Sequence, residues 1–175
     1  GLTNEIEQKT DVGRFFINRI EREKEIPVYS KIMNGYGDER FRSTVCSGNL
    51  LKHPNKNIVI QPLSYMDYIL MFDLENTNYF ALHQQETKTF EDPVSIERTF
   101  TFINATFSDE ITMVLYNIGL KTSAVVMVDW DGNCLGSFML GNIVQRIAYD
   151  ERSNVLYGIN RLTDKIYKFN LNGIL

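Results

Sequence analysis

The feature that most constrains the fold of this chain is a repeated unit. Three segments, 51–76, 104–132 and 148–173, share one order: a polar turn, an apolar run, a second turn and a second apolar run. The first apolar runs are predicted to be strands that start at Ile58, Ile111 and Val155. A fixed spacing of such units is typical of repeat architectures, in which each unit buries its apolar face against its neighbour.

Each unit closes on the same five-residue pattern: an apolar residue, Asp or Asn, a large apolar residue, an acidic or amide residue, then Gly or Asn. The pattern occupies 72–76, 128–132 and 169–173, so it recurs after 56 and then 41 positions. The polar insertion 84–98 accounts for the longer interval. A period near 41 residues matches the ~40–45 residues of a four-stranded β-propeller blade.

Composition and turn chemistry point to the same fold class. Aromatic residues make up 12% of the 175 residues, and aromatic and β-branched side chains favour strands. Asp131-Gly132-Asn133 and Asn172-Gly173 have the chemistry of tight hairpin turns. We therefore predict an all-β chain of about three four-stranded antiparallel blades and part of another. The predicted blades, in a single domain over 1–175, are 13–40 (partial), 41–83, 99–140 and 141–175.

The first forty residues admit two interpretations. Residues 4–24 have apolar positions that an amphipathic helix could bury. We predict strands at 14–18 and 26–32 instead, as the last two strands of a preceding blade.

The second half of the chain resembles a known family. The runs VVMVDWDGNCLGSFML at 125–140, IAYDERSNVLYGIN at 147–160 and IYKFNL at 166–171 are similar to the TolB-like six-bladed β-propellers of Bacteroidetes-type bacteria. That family has a VFDWDGN hairpin, a VDE…IYGL strand and a closing IYxYDL strand. The likeness extends more loosely over residues 13–172. It implies a propeller fold and an exported protein, often a lipoprotein, in the periplasm, at the outer membrane or on the cell surface.

The chain departs from that family in length. A six-bladed ring at ~40 residues per blade needs roughly twice this chain. Three arrangements stay open: the C-terminal half of a longer protein, a ring completed by two copies, or an open arc of sheets. An open arc would expose blade faces, so the expected partners include a second copy of the chain.

No catalytic or metal-binding signature appears in the sequence. Asp129, Asp131 and Asn133 resemble the start of a calcium loop, but Cys134 replaces the required Gly and Leu140 the required Glu. The two histidines, His53 and His83, are 30 positions apart and are expected at exposed turn and surface positions. We therefore expect no cofactor, no metal and no catalytic residue. The alternative is a hydrolase or lyase of the calcium-dependent six-bladed propeller type.

The expected activity is binding, through loops at one end of the blades, to a protein or a glycan. Trp130 is expected in the core between blades, with a partner for its indole N–H. Cys46 and Cys134 are expected as small buried residues, with a disulfide between them left open. No ligand-binding residue can be singled out among the aromatic candidates, which are Tyr65, Tyr68, Tyr116, Tyr149, Tyr157 and Tyr167.

Charge and hydropathy argue against nucleic-acid binding and against a membrane-spanning helix. The 18 basic residues are scattered among 22 acidic ones, for a net charge of -4, whereas nucleic-acid binding needs clustered Lys and Arg. No apolar run reaches the roughly 18 residues of a membrane-spanning helix.

Overall fold

The structure is a computed structural model that describes residues 47–66, 68–76, 78–83, 102–118 and 122–174. Residues Gly48–Leu175 form one compact unit. Every regular element within the described ranges is a β-strand, which confirms the all-β prediction. The predictions for 13–40 and for the insertion 84–98 lie outside the described residues.

The strands form three antiparallel sheets in chain order, each with its strands in sequence order. The first sheet contains β1 (Leu51–Lys52), β2 (Ile58–Pro62), β3 (Tyr68–Asp73) and β4 (Asn78–His83). The second contains β5 (Phe102–Phe107), β6 (Ile111–Ile118), β7 (Thr122–Asp129) and β8 (Cys134–Met139). The third contains β9 (Arg146–Asp150), β10 (Val155–Asn160) and β11 (Lys165–Asn170). The third sheet thus has three strands among the described residues, where the period predicts four.

The repeat of the sequence corresponds to a repeat of strands. Ile58, Ile111 and Val155 each begin the second strand of a sheet, as predicted. The third strands, β3, β7 and β11, end on the Asp or Asn of the shared five-residue pattern. Equivalent positions in the three units therefore occupy equivalent positions in the three sheets.

The Asp or Asn shared by the three units stabilises a turn with its side chain. Asp129 Oδ1 accepts hydrogen bonds from the backbone N–H groups of Asp131 and Asn133, at 3.0 and 2.7 Å. Asn170 Oδ1 accepts one from the N–H of Asn172 at 3.0 Å. Asp and Asn satisfy the backbone of a tight turn in this way. The sequence D-x-D-G-N is therefore a hairpin turn, as predicted, and Gly132 adopts its positive φ of 91°.

Two apolar cores hold the sheets together. Between the first and second sheets, Ile60 and Met71 pack with Val114, Val128 and Trp130. Between the second and third sheets, the core includes Met113, Leu115, Val125, Leu156 and Leu171. Each fully buried side chain of this size stabilises the fold by about 1.5–3 kcal/mol relative to an exposed one. The second sheet is therefore covered on both faces, as a blade within a stack is.

The first strands of neighbouring sheets also lie side by side. The backbone N–H of Ile147 in β9 donates to Asn104 Oδ1 in β5 at 2.7 Å, and that of Tyr149 donates to Thr106 Oγ1 at 3.2 Å. These side chains satisfy donors at the outer edge of β9, where pairing with another strand would otherwise occur. Because both bonds advance by two residues in the same direction, β5 and β9 run in the same direction.

Two local predictions were wrong. His53 is 2% exposed, not a surface residue, because its ring is buried against the second sheet. Cys134 is an exposed free thiol at the start of β8, not a small buried residue, because β8 is the outer strand of its sheet and carries few buried side chains. Cys46 lies outside the described residues. Within the described ranges, no helix is long and apolar enough to cross a membrane.

Candidate protein-binding surface at one end of the sheets

The turns that open and close each unit gather at one end of the sheets. They are the turns β1–β2 and β3–β4, β5–β6 and β7–β8, and β9–β10, with the segment after β11. The Asn55 amide donates to Asp109 Oδ2 at 3.4 Å, which joins the first and second sheets at this end. The shared direction of β5 and β9 brings the turns of the second and third sheets to the same end.

This end is rich in carboxylates, which together we call the acidic rim. The acidic rim consists of Asp73, Glu75, Asp109, Glu110, Asp129, Asp131, Asp150 and Glu151. All eight are exposed or half-exposed, and the described basic residues at this end are Lys52, Lys56 and Arg152. Eight carboxylates against three cations give this end a negative potential.

Two carboxylates of the acidic rim, Asp129 and Asp150, stabilise their turns by accepting hydrogen bonds. Burial alone would raise the pKa of the Asp129 carboxyl. Hydrogen bonds from the Asn133 side chain and from the backbone of Asn133, Asp131 and Gly132 outweigh that effect, so the net result is a lowered pKa. The Ser153 hydroxyl, 2.6 Å from Asp150 Oδ2, lowers the pKa of Asp150. Both carboxylates therefore stay charged well into the acid range.

Other members of the acidic rim face solvent with no such task. Glu110, Asp131 and Glu151 are exposed. Among the described residues, no basic side chain forms an ion pair with any of the three. Their charge is therefore available to a partner.

The pKa of the Tyr149 phenol responds to the negative charge of the acidic rim. Burial raises the pKa of Tyr149, and the negative charges of Glu151, Asp150 and Glu110 raise it further. Glu110 belongs to the second sheet and the other two to the third. Carboxylates from two adjacent sheets therefore both influence the Tyr149 phenol, as expected if their turns form one continuous surface.

Among the described residues, the opposite end has more basic than acidic side chains. Among its described residues, Arg146, Arg161 and Lys165 are exposed, and Asp164 is the one exposed acid. The described residues at the two ends of the sheets therefore differ in the sign of their net charge, and the two ends suit different partners.

Buried aromatic packing supports the acidic rim from beneath. Trp130 is 3% exposed, and its Nε1–H donates to the backbone carbonyl of Ser108 at 3.0 Å, which confirms its predicted place and its need for a partner. His53 Nδ1 accepts from the N–H groups of Asn55 and Lys56 at 2.9 and 3.0 Å. The proton of the neutral ring is then on Nε2, which is buried and has no hydrogen-bond partner in the described part of the chain.

The tyrosines considered as ligand contacts do not converge on one surface. Tyr116 packs against the core between the first two sheets, and Tyr149 and Tyr167 against the core between the second and third. Tyr157 is 38% exposed on the outer face of the third sheet. Tyr65 and Tyr68 are half-buried around the β2–β3 turn, at the end opposite the acidic rim.

The described residues hold no group of three or more His, Cys, Asp or Glu side chains arranged to bind a metal ion. His83 ends β4. The paired acids Asp109-Glu110 and Asp150-Glu151 lie far apart in the sequence, and sequence reasoning did not predict that they form one surface. The signal was present, because each pair lies in the polar stretch that leads to a predicted second strand, which starts at Ile111 or at Val155.

Comparisons with known proteins agree with this architecture. The chain matches no protein-family model, and no curated protein is similar to it in sequence. A chain of the mitotic checkpoint complex matches it with a TM-score of 0.50 and 18% identity over 95% of this chain and 42% of that one. Sqt1 of Saccharomyces cerevisiae matches with a TM-score of 0.48 and 15% identity over 71% of this chain and 32% of that one.

The matching chain of the mitotic checkpoint complex is a β-propeller. The chain has a β-propeller fold. It spans less than half the length of either matching chain. The comparisons support the propeller fold, and the finer TolB-like resemblance stays a prediction.

Proposed function

We propose that this β-propeller chain is a non-enzymatic scaffold module that binds a protein partner through the acidic rim. The partner presents a surface rich in Lys and Arg. The observation that carries the proposal is the excess of eight carboxylates over three cations at one end of three stacked sheets. Complementary charge of this kind steers association and selects among partners.

The rigidity of the acidic rim supports this role. Its turns are held by side-chain hydrogen bonds, such as those that Asp129 and Asp150 accept, and they rest on buried Trp130. Loops that a rigid scaffold positions lose little conformational freedom on binding. The similar chain of the mitotic checkpoint complex belongs to a multiprotein assembly, which fits a scaffold role.

A comparison of variants tests the proposal. Glu110→Gln/Asp131→Asn/Glu151→Gln removes three charges that no described basic residue pairs with. We expect the tagged wild-type protein to retain a partner from lysate of its native cells in a salt-sensitive manner. The triple variant should lose that partner. Retention of the same partners by the triple variant would contradict the proposal.

The matched control is a single change at the other end. Asp164→Asn also removes an exposed carboxylate, and Asn tolerates the φ of 53° at this position. It should bind as the wild type does, whereas Glu151→Gln alone should weaken binding. A retained ligand that proves to be a glycan, with no sensitivity to salt, would also contradict the proposal.

The exported or cell-envelope location rests on the TolB-like sequence resemblance and belongs to the same proposal. Fractionation of native cells with an antibody to the chain tests it, and recovery in the cytosolic fraction would contradict it.

A further inference from the structure

Two buried polar side chains have no hydrogen-bond partner among the residues that the structure describes. One is Thr112, whose hydroxyl belongs to a residue with no exposed surface. The other is His53, which is 2% exposed and whose Nε2 atom has no partner. A buried polar group without a partner costs free energy. Folded proteins satisfy nearly all such groups with protein atoms or with ordered water, so both atoms need a partner.

The side chain of Thr112 faces the first sheet. Successive side chains of a strand point to opposite faces. In β6, Ile111 and Met113 belong to the core between the second and third sheets, and Val114 belongs to the core between the first and second. Thr112 lies between Ile111 and Met113, so its side chain is on the same face as that of Val114. It is therefore in the layer between the first and second sheets.

The surroundings of Trp130 bring Thr112 and His53 into one neighbourhood. Thr112 pairs with Phe107 of β5 and with Val128 of β7. The Phe107 ring lies edge-on to the Trp130 indole, with the centroids 6.0 Å apart. Val128 and Trp130 share one core, and the ring of His53 contacts the same indole. The two polar side chains therefore enter the same part of the interface, one from each sheet.

The chemistry of the two atoms suits a water molecule. His53 Nδ1 accepts from its own turn, so Nε2 carries the proton and is a donor. The Thr112 hydroxyl can donate or accept. A metal ion does not fit, because Nε2–H has no lone pair to offer. An anion does not fit either, since no charged side chain is buried among the described residues and a buried ion without a counter-charge is costly.

We propose that a single water molecule binds between His53 and Thr112 and joins the first and second sheets. It accepts a hydrogen bond from Nε2–H and forms another with the Thr112 hydroxyl. A buried water needs about two to four polar partners, and these atoms supply two. The water fixes the ring of His53 against Trp130 and so steadies the β1–β2 turn. The charges of the acidic rim take no part, so this proposal and the proposed function can fail separately.

Thr112→Val tests the site, because Val keeps the shape of Thr and removes the hydroxyl. If the hydroxyl had no partner, this change would raise the urea concentration at the midpoint of unfolding. With water bound, the midpoint should fall, since the water loses one of its two partners. Thr163→Val, at an exposed turn position, is the matched control and should unfold as the wild type does. A midpoint in Thr112→Val at or above that of wild type would overturn the proposal.

NMR magnetisation transfer from water identifies the ligand directly. The wild type should show cross-peaks from water to the Nε2–H proton of His53 and to the Thr112 methyl group. The methyl cross-peak should have opposite signs in NOE and ROE spectra, as for a long-lived bound water. The Nε2–H cross-peak should be lost in Thr112→Val.

Two NMR results would overturn the proposal. The first is the absence of these cross-peaks in the wild type. The second is an Nε2–H resonance that the indole ring current shifts upfield and that Thr112→Val leaves unchanged, because the proton would then point at the face of Trp130.

Discussion

The imidazole ring of His53 lies against the indole ring of Trp130, with the ring centroids 4.6 Å apart and the planes inclined by 58°. His53 belongs to the β1–β2 turn of the first sheet, and Trp130 follows the third strand of the second. The contact therefore joins two blades directly beneath the acidic rim. The same histidine closes its own turn through Nδ1, so packing between blades and turn geometry depend on one side chain.

Trp130→Ala should lower the free energy of unfolding by about 3–5 kcal/mol, because it removes a large buried side chain. His53→Ala should also destabilise the fold, since two backbone N–H groups lose their acceptor. In a double-mutant cycle followed by urea unfolding, we expect a coupling energy of about 0.5–1.5 kcal/mol between the two rings.

Leu162→Ala is the control for this cycle, because Leu162 is 86% exposed and its change should leave stability within about 0.5 kcal/mol. Additive effects of the His53 and Trp130 substitutions would show that the two rings do not stabilise each other.

Gly158 should tolerate no side chain. A Cβ at this position would lie 2.9 Å from Val144 Cγ1 and 3.1 Å from Phe169 Cε2. Val144 is fully buried and β-branched, so it has little freedom to move. Gly158→Ala should therefore cost about 1–3 kcal/mol by overpacking, measured by urea unfolding. Ala148→Ser, at an exposed position of the same sheet, is the control. Wild-type stability in Gly158→Ala would mean that the β8–β9 connection packs less closely against the third sheet than described.

The positions of the strands were accessible from the sequence because local chemistry determines them. Ile58, Ile111 and Val155 follow polar turns and begin apolar runs, and each begins a strand. The Asp or Asn of the shared pattern marks a turn because its own side chain caps the backbone. Such signals involve residues a few positions apart, so a repeat reveals them.

The burial of His53 and the acidic rim were not accessible in the same way. A histidine before Pro54 in a polar turn is typical of an exposed position. It is buried because Trp130, 77 positions later, meets it from the next sheet. The acidic rim likewise depends on which turns share an end of the stack. Both are consequences of the packing of sheets, which no local pattern specifies.

Acid should weaken the fold through the turn carboxylates. Hydrogen bonds hold the folded-state pKa values of Asp129 and Asp150 below those of the unfolded chain. Their contribution to stability is therefore present above about pH 4 and is lost as the pH falls through the folded-state values. Asp129→Asn/Asp150→Asn should be less stable than wild type near neutral pH, with a difference that shrinks as the pH falls through the lowered folded-state pKa values. Urea unfolding over this pH range is the measurement, and a difference independent of pH would contradict it.

Tyr149 should report the charge of the acidic rim. Because Glu110 contributes to its raised pKa across the gap between two sheets, Glu110→Gln should lower the pKa of Tyr149 toward its usual value. NMR titration of the Tyr149 ring measures this shift. Asp164→Asn, at the opposite end, should leave the pKa of Tyr149 unchanged. An unchanged pKa of Tyr149 in Glu110→Gln would mean that the turns of the second and third sheets lie too far apart to form one surface.

The central claim is that the three sheets stack as adjacent blades, and nuclear Overhauser effects measure that stacking most directly. The structure predicts cross-peaks between the ring protons of His53 and Trp130, and between the amide proton of Tyr149 and the side chain of Thr106. The first pair joins the first and second sheets, and the second pair joins the second and third. Strong cross-peaks within each sheet, with neither of these between sheets, would contradict the account.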